Sequence, residues 1–199
     1  MKINFSLIKP RIGFIGNNYF MSMLTIASGQ VDKIIVAPLL GFTILGYYNL
    51  AMQVLSIMLI LPNVFYKYLL PQESTGVKNK KPKIIVIVFS VLVTTLGIFV
   101  APVLINEFFP KFSEAIDAIR IVSVVVIPTT ISLILESEFL GNEKSRIILI
   151  GTVILLTSLI IGMIVLGSLM GIEGVAYSLV IAQTTKLGFY LIAKKFSAT

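Results

Sequence analysis

An acid and a base, Asp32 and Lys33, stand side by side in one of the most apolar stretches of the chain, SGQVDKIIVAPLLGFTILGYYNLA (28–51). Each charge costs a few kcal/mol at the centre of a bilayer. At 100° per residue, Asp32 shares a helical arc of about 80° with four residues that have small or polar side chains: Asn18, Ser22, Thr25 and Gly29. Lys33 borders this arc, and a polar arc on a spanning helix must face protein or water.

We therefore predict that Asn18, Ser22, Thr25, Asp32 and Lys33 belong to a substrate pathway. For the first three, helix packing through small and hydroxyl side chains is an equally good interpretation. For Asp32 and Lys33, the alternative is a position at the outer membrane interface, where charges cost little.

Two carboxylates are candidates for coupling transport to H⁺ or Na⁺, namely Asp32 and Glu136. For Glu136 and the nearby Glu138, the favoured interpretation is solvation or pairing with Lys144 and Arg146, because all four lie near the inner end of a predicted span. Apart from a possible coupling ion, we expect no cofactor and no metal.

Two prolines are expected to kink predicted spans, Pro62 near the inner end of one and Pro128 in the middle of another. Thr129 and Ser132 share a face with Glu136 and are candidates to bond the backbone groups that Pro128 frees.

The other charged residues receive structural interpretations. Lys186 is expected to extend its amine to the cytoplasmic surface rather than stay buried. In the outer segment NEFFPKFSEAIDAIRI (106–121), Ser113 is expected to cap a helix. Two i, i+3 ion pairs are expected on that helix: Lys111 with Glu114, and Asp117 with Arg120.

The chain contains no histidine and no cysteine. This excludes Ser–His and Cys–His nucleophile pairs, thiolate or imidazole metal sites, and disulfides. No motif supports the remaining Ser–Lys chemistry, so we do not expect an enzyme.

Composition indicates an integral membrane protein. Of 199 residues, 57% are hydrophobic and 13% are charged, and the mean hydropathy is +1.01, whereas soluble domains are nearer one quarter charged. We predict an all-α polytopic fold with six spans in one bundle: 12–36, 44–69, 84–105, 115–140, 146–168 and 172–193.

The basic residues define an orientation. With both termini in the cytoplasm, thirteen of the sixteen Lys and Arg residues lie on the inner side, leaving Lys33, Lys111 and Arg120 outside. The net charge of +7 is thereby explained by orientation in the cytoplasmic membrane, and nucleic acid is not an expected partner.

Several ordered segments together resemble a known transporter superfamily. Asp32–Lys33 is followed by LLGFTILGYYNLA (39–51), which holds a G-Y-x-x-A-like element, and then by LLPQES (69–74). FFPKFSEAIDAIRI (108–121) and GIEGVAYSLVIAQ (171–183) add to the match. Over nearly its whole length the chain is similar to the C-terminal half of polysaccharide-biosynthesis flippases (Wzx or O-antigen type) of the multidrug/oligosaccharidyl-lipid/polysaccharide exporter superfamily.

The resemblance implies two six-helix bundles that move a polyprenyl-diphosphate-linked oligosaccharide across the membrane by alternating access. This chain holds one bundle, so a second six-helix bundle is an expected partner, either a missing N-terminal half or a second copy. Lys33 would offer positive charge to the diphosphate, and Asp32 would position the neighbours of Lys33 or take part in ion coupling. Two alternatives remain: a cation-coupled exporter of small amphiphiles, and a non-transporting or truncated membrane subunit.

Overall fold

The computed structural model describes residues 16, 19, 23, 30–75 and 80–197. Over these residues the chain is helical apart from short turns and contains no strand, so the prediction of an all-α fold is confirmed. Besides one 3₁₀ segment, Pro110–Ala115, the helices are α1 (30–40), α2 (Phe42–Met58), α3 (Ile60–Ser74), α4 (Lys80–Phe108), α5 (Ile116–Val124), α6 (Val126–Gly141) and α7 (Ser145–Ser197).

Two long helical stretches are each interrupted three residues before a proline. α2 ends and α3 begins around Leu59, three residues before Pro62, and the two helices are bent by 44°. α5 and α6 meet in the same way at Val125, three residues before Pro128. A proline has no N–H to donate to the carbonyl four residues earlier, and its ring crowds that carbonyl, which accounts for both positions.

α7 turns back on itself at Gly171, whose φ of 61° suits a residue without a Cβ. Residues that are distant along α7 are therefore in contact. A Cβ built on Gly162 lies 2.9 Å from Ser178 Cβ, and the Tyr190 ring packs directly on Gly151. The arms 145–170 and 172–197 thus form an antiparallel helical hairpin.

By length and apolar composition, three helical stretches can cross a membrane: Lys80–Phe108, Pro110–Gly141 and Ser145–Phe196. The bent pair of α2 and α3 makes a fourth if it counts as one span. Six separate spans, as predicted, are not what these residues show. Most of the predicted span 12–36 lies outside the described residues, and the predicted spans 146–168 and 172–193 are merged in α7.

The stretch Pro110–Gly141 is the centre of the bundle. In its most apolar window 61% of the residues are buried, compared with 22% in Lys80–Phe108 and in Ser145–Phe196. Ile119 and Val122 of α5 are fully buried in a core that α2 and α7 complete. Gly97 lets α4 approach the Ser123 side chain of α5 at a distance that any Cβ would prevent.

The helix ends gather at two ends of the bundle. At the first, Lys83 of α4 contacts Glu73 of α3, and Lys194 of α7 contacts Glu138 of α6; we call this the basic end. At the opposite end, Tyr47 stacks edge-on against Phe112, with 6.0 Å between ring centroids. The Gly171 turn lies at this second end, because Leu39 there lines the approach to Gly167.

Candidate functional site

The predicted pathway residues divide between described and undescribed parts of the chain. Asn18, Ser22 and Thr25 lie outside the described residues. The structure therefore reports on the predicted polar arc only through Asp32 and Lys33, both in α1.

Asp32 and Lys33 point in different directions. The Asp32 side chain is buried, with the residue 4% exposed, and its Oδ1 accepts a hydrogen bond of 2.8 Å from the Lys33 backbone N–H. The buried Tyr48 hydroxyl lies beside the Asp32 carboxylate, without the geometry of a full hydrogen bond. Lys33 is exposed, and its Nζ donates to Gln30 Oε1 at 3.2 Å. The two charges therefore lie in different environments, because the Asp32 side chain is buried and the Lys33 side chain is exposed.

A second polar surface follows α2 and α3, and the sequence reading did not identify it. It consists of five residues spaced three, four or seven apart, of which all but the half-exposed first are exposed: Asn49, Gln53, Ser56, Asn63 and Lys67. At 100° per residue these lie within about 80° of one another. They stand opposite the buried residues of α2, which are Tyr48, Ala51, Leu55 and Met58. We call this surface the α2–α3 polar face.

The interpretation of Lys33 and of the α2–α3 polar face depends on how far these side chains lie from the ends of their helices. At a rise of 1.5 Å per residue, Lys33 lies about 12 Å and Gln53 about 18 Å along the helices from the turn at Gly41. The apolar core of a bilayer is about 30 Å thick, so both side chains fall within its thickness if the Gly41 turn lies at its edge. Ser56 and Asn63 each donate to a carbonyl of their own helix, at 2.7 and 2.8 Å, whereas Gln53 has no such bond.

Glu136 is held by two residues of α7 near the basic end. Its Oε1 lies 2.6 Å from Lys186 Nζ and accepts a hydrogen bond of 3.0 Å from the Tyr190 hydroxyl. The Lys186 amine also lies 5.4 Å from the centre of the Tyr190 ring. The Glu136 and Lys186 side chains are only 13% and 12% exposed. The expectation that Lys186 reaches the cytoplasmic surface is therefore wrong, because its partner is inside the bundle.

Glu138 belongs to a second, four-residue network. Lys83 Nζ lies 2.6 Å from Glu73 Oε1 and 2.7 Å from Glu138 Oε1, and Lys194 Nζ lies 2.5 Å from Glu138 Oε2. Helices α3, α4, α6 and α7 each supply one charge. The expected pairing of Glu136 and Glu138 with Lys144 and Arg146 is thus wrong in its partners: the helices bring cations from distant parts of the chain against both carboxylates.

Three buried polar atoms of α6 and α7 lack hydrogen-bond partners among the described residues. They are Thr129 Oγ1 and Ser132 Oγ on α6 and Gln183 Oε1 on α7. The expectation that Thr129 and Ser132 bond freed backbone groups is therefore wrong. The neighbouring Thr130 hydroxyl donates to Val126 O at 2.7 Å, whereas the carbonyl that Pro128 leaves without an N–H is that of Val124. Within residues 30–75 and 80–197, no group of three acidic side chains is arranged to hold a metal ion.

The outer segment is partly as expected. Arg120 and Asp117 form the predicted ion pair at 2.9 Å, with both side chains exposed. The described residues show no corresponding pair of Lys111 with Glu114, since Pro110–Ala115 is 3₁₀-helical and spaces side chains differently from an α-helix. Ser113 does not cap α5, whose N-cap is Ala115.

No protein-family model, curated protein or solved structure matches the chain. The site must therefore be interpreted from its own geometry. That geometry consists of exposed polar groups along α1 and α2 and two ionic networks at the basic end.

Proposed function

We propose that the chain is one bundle of a two-bundle membrane transporter, and that α1 and the α2–α3 polar face line the pathway between the bundles. The observation that carries the proposal is that the polar side chains of Lys33 and Gln53 are exposed on a largely apolar helical bundle, roughly 12 and 18 Å along the helices from the turn at Gly41. Hydrocarbon does not solvate such groups, so water or a second protein surface must cover them. A transport pathway between two bundles supplies both.

We infer that this bundle crosses the membrane six times. Straight, the 52 residues of Ser145–Phe196 would measure about 78 Å, more than twice the apolar thickness of a bilayer. The antiparallel contacts across Gly171 support two crossings within this length. With α1 (30–40) as the described part of a further crossing, and with the bent α2–α3 pair, α4 and Pro110–Gly141, we count six crossings, and we propose that the basic end faces the cytoplasm.

The proposed substrate is a polyprenyl-diphosphate-linked oligosaccharide, and the proposed location is the cytoplasmic membrane. A diphosphate carries negative charge, and the exposed Lys33 amine on the pathway surface is a suitable donor to it. The resemblance to polysaccharide-biosynthesis flippases supports the same substrate class. The second bundle is a separate six-helix partner or a second copy of this chain.

Flipping in proteoliposomes tests the proposal. A fluorescent polyprenyl-diphosphate oligosaccharide is placed in both leaflets, and an impermeant quencher reports its movement. Lys33→Gln is expected to slow flipping about tenfold or more, because a charge-assisted hydrogen bond contributes about 1.5–3 kcal/mol. Lys111→Gln, the same change at an exposed lysine away from the α2–α3 polar face, is expected to leave the rate unchanged.

Two results would contradict the proposal. One is an equal rate for Lys33→Gln and Lys111→Gln. The other is flipping no faster than in protein-free vesicles, in a preparation that cross-linking shows to contain paired bundles. The second result would favour a non-transporting membrane subunit.

A further inference from the structure

A pocket lies between α4, α5 and the second arm of α7, toward the end of the bundle opposite the basic end. Its volume is about 320 Å³, and it is lined by Ile98, Arg120, Ile121, Val124, Tyr177 and Val180. Four of these side chains are aliphatic, Arg120 supplies a positive charge and Tyr177 supplies a hydroxyl. The pocket therefore combines an apolar wall with two groups that donate hydrogen bonds.

The polar groups of the pocket lie closer to this end of the bundle than most of its aliphatic residues. Arg120 is four residues from the start of α5, and Tyr177 is six residues after the turn at Gly171. At 1.5 Å per residue they lie about 6–9 Å from the end, and the deepest aliphatic residues about 12–15 Å. These deepest residues are Ile98, Val124 and Val180.

Two carboxylates stand one helical turn closer to the end than these polar groups. On α5, Asp117 Oδ1 accepts a hydrogen bond of 2.9 Å from Arg120 Nη1. On α7, Glu173 precedes Tyr177 by four residues and shares its face of the helix. Within residues 30–75 and 80–197, no lysine or arginine pairs with Glu173. From the end inward, the site thus presents negative charge, then a guanidinium and a hydroxyl, then an apolar wall.

The guanidinium of Arg120 can bind a ligand without losing its contact with Asp117. That contact uses one of the five N–H groups of the arginine side chain, and no other residue in the described part of the chain bonds to it. The Arg120 and Asp117 side chains are 51% and 63% exposed, so water weakens their attraction. A phosphate oxygen can therefore occupy the remaining N–H groups.

The order of charges favours one class of ligand. Phosphatidylethanolamine carries its ammonium outermost, its phosphate next and its acyl chains innermost, which is the order that the site complements. A headgroup with a net negative charge is disfavoured, because two carboxylates stand beside one guanidinium. The quaternary ammonium of phosphatidylcholine has no N–H, whereas a primary ammonium donates charge-assisted hydrogen bonds to carboxylates.

We propose that this pocket binds phosphatidylethanolamine from the leaflet at the end opposite the basic end. Arg120 and Tyr177 bind the phosphate. Asp117 and Glu173 bind the ammonium, and Val180 contacts one acyl chain. The site lies on α4, α5 and α7, so it is separate from the proposed pathway on α1 and the α2–α3 polar face, and its occupancy does not require transport.

The absence of tryptophan from the chain makes a direct test possible. Tyr177→Trp places the single indole at the pocket and keeps an N–H that can donate to the phosphate. Val165→Trp is the reference outside the pocket. Both positions are six residues from Gly171, and the native residues are 41% and 50% exposed. Each variant is reconstituted in vesicles with equal parts of phosphatidylethanolamine, phosphatidylcholine and phosphatidylglycerol, and one lipid at a time carries brominated acyl chains that quench the indole.

Brominated phosphatidylethanolamine is expected to associate with Tyr177→Trp about fivefold more strongly than brominated phosphatidylcholine, which corresponds to about 1 kcal/mol. Brominated phosphatidylglycerol is expected to associate least, and Val165→Trp is expected to show no preference. Adding Asp117→Asn to Tyr177→Trp is expected to reduce the preference for phosphatidylethanolamine to about twofold or less. Adding Glu143→Gln, a similar change at an exposed acid of the basic end, is expected to keep it.

Equal quenching of Tyr177→Trp by the three lipids would overturn the proposal and leave ordinary boundary lipid in the pocket. Stronger quenching by phosphatidylcholine or phosphatidylglycerol would also overturn it, because the carboxylates would then not select the headgroup. Weaker quenching of Tyr177→Trp than of Val165→Trp by every lipid would overturn it in favour of a second protein surface on the pocket. If Tyr177→Trp does not fold, Val124→Trp on α5, where the native residue is 40% exposed, gives the same readout.

Discussion

At the scale of single residues, the Glu136–Lys186 pair is the most informative contact. Both side chains are mostly buried, and the Tyr190 hydroxyl completes the coordination of the carboxylate. Taking two charges out of water costs several kcal/mol per ion, and the mutual attraction offsets this cost only while both partners are present. The pair therefore contributes little net stability, and its main effect is to disfavour arrangements of α6 and α7 that separate the two charges.

Removing one partner of this pair should be much worse than removing both. Lys186→Met is expected to lower the free energy of unfolding by about 3 kcal/mol, because it leaves the Glu136 carboxylate without its cation. The double variant Glu136→Gln/Lys186→Met is expected to recover most of that loss. Equilibrium unfolding in mixed micelles, followed by the loss of helical circular dichroism, measures all three proteins.

The exposed Asp117–Arg120 pair is the matched control, since it joins the same kinds of charge with side chains 63% and 51% exposed. Arg120→Met is expected to cost less than about 1 kcal/mol. Equal losses in Lys186→Met and Arg120→Met would show that the Glu136–Lys186 pair is effectively solvated.

The sequence could not predict this pair. Glu136 and Lys186 are 50 positions apart, and local spacing favoured Lys144 and Arg146 as partners of the carboxylates. The choice is made by the packing of α6 against the second arm of α7, which depends on the shapes of many apolar side chains at once. Asp117 and Arg120, three residues apart on one helix, were predicted correctly because their contact is local.

At the scale of elements, breaks and turns follow local chemistry. The interruptions at Leu59 and Val125 each precede a proline that the sequence marked as a kink. The turn at Gly171 lies in a glycine-rich segment. Helix lengths were predicted less accurately than helix breaks. α4 spans Lys80–Phe108, whereas the apolar run predicts 84–105, because the helix continues through polar residues at both ends of that run.

Close approach of the two α7 arms depends on glycine at particular positions. Gly162→Ala would place a Cβ 2.9 Å from Ser178 Cβ and 3.3 Å from Ser178 Cα, which are attached to the backbone and cannot rotate away. We expect it to destabilise the protein by about 1–3 kcal/mol. Thermal unfolding in detergent measures the change.

Gly188→Ala is the control on the same helix, because a Cβ at Gly188 meets nothing within 4 Å. It is expected to be neutral or to stabilise the helix by up to about 1 kcal/mol, through the better helix propensity of alanine. If Gly162→Ala is as stable as Gly188→Ala, the arms are not in the close contact described here.

At the scale of the whole molecule, composition was enough to predict the fold class. Which polar side chains face away from the core depends on how the helices pack. The 57% hydrophobic content led directly to an all-α membrane protein. The α2–α3 polar face was recognisable only when burial showed that its residues, among them Gln53 and Asn63, point away from the core. A polar residue in a span faces either a neighbouring helix or a pathway. The sequence contains no distances between helices, so it does not tell these two cases apart.

The orientation of the bundle and the crossing of α7 can be tested together, because the chain contains no cysteine. Single cysteines replace three exposed residues: Glu143 in the turn before α7, Ser168 beside the Gly171 turn, and Phe196 near the end of α7. In right-side-out vesicles, an impermeant maleimide is expected to label Ser168→Cys at once. Glu143→Cys and Phe196→Cys are expected to react only after permeabilisation, because the proposed orientation places the basic end in the cytoplasm.

The pattern of labelling separates three arrangements. Labelling of Ser168→Cys alone means that each arm of α7 crosses the membrane and that the basic end is cytoplasmic. Labelling of the other two alone would keep the hairpin and reverse the bundle, against the distribution of Lys and Arg. Labelling of all three from one side would make α7 a re-entrant hairpin. The six-crossing bundle, and with it a pathway that runs from one side of the membrane to the other, would then be excluded.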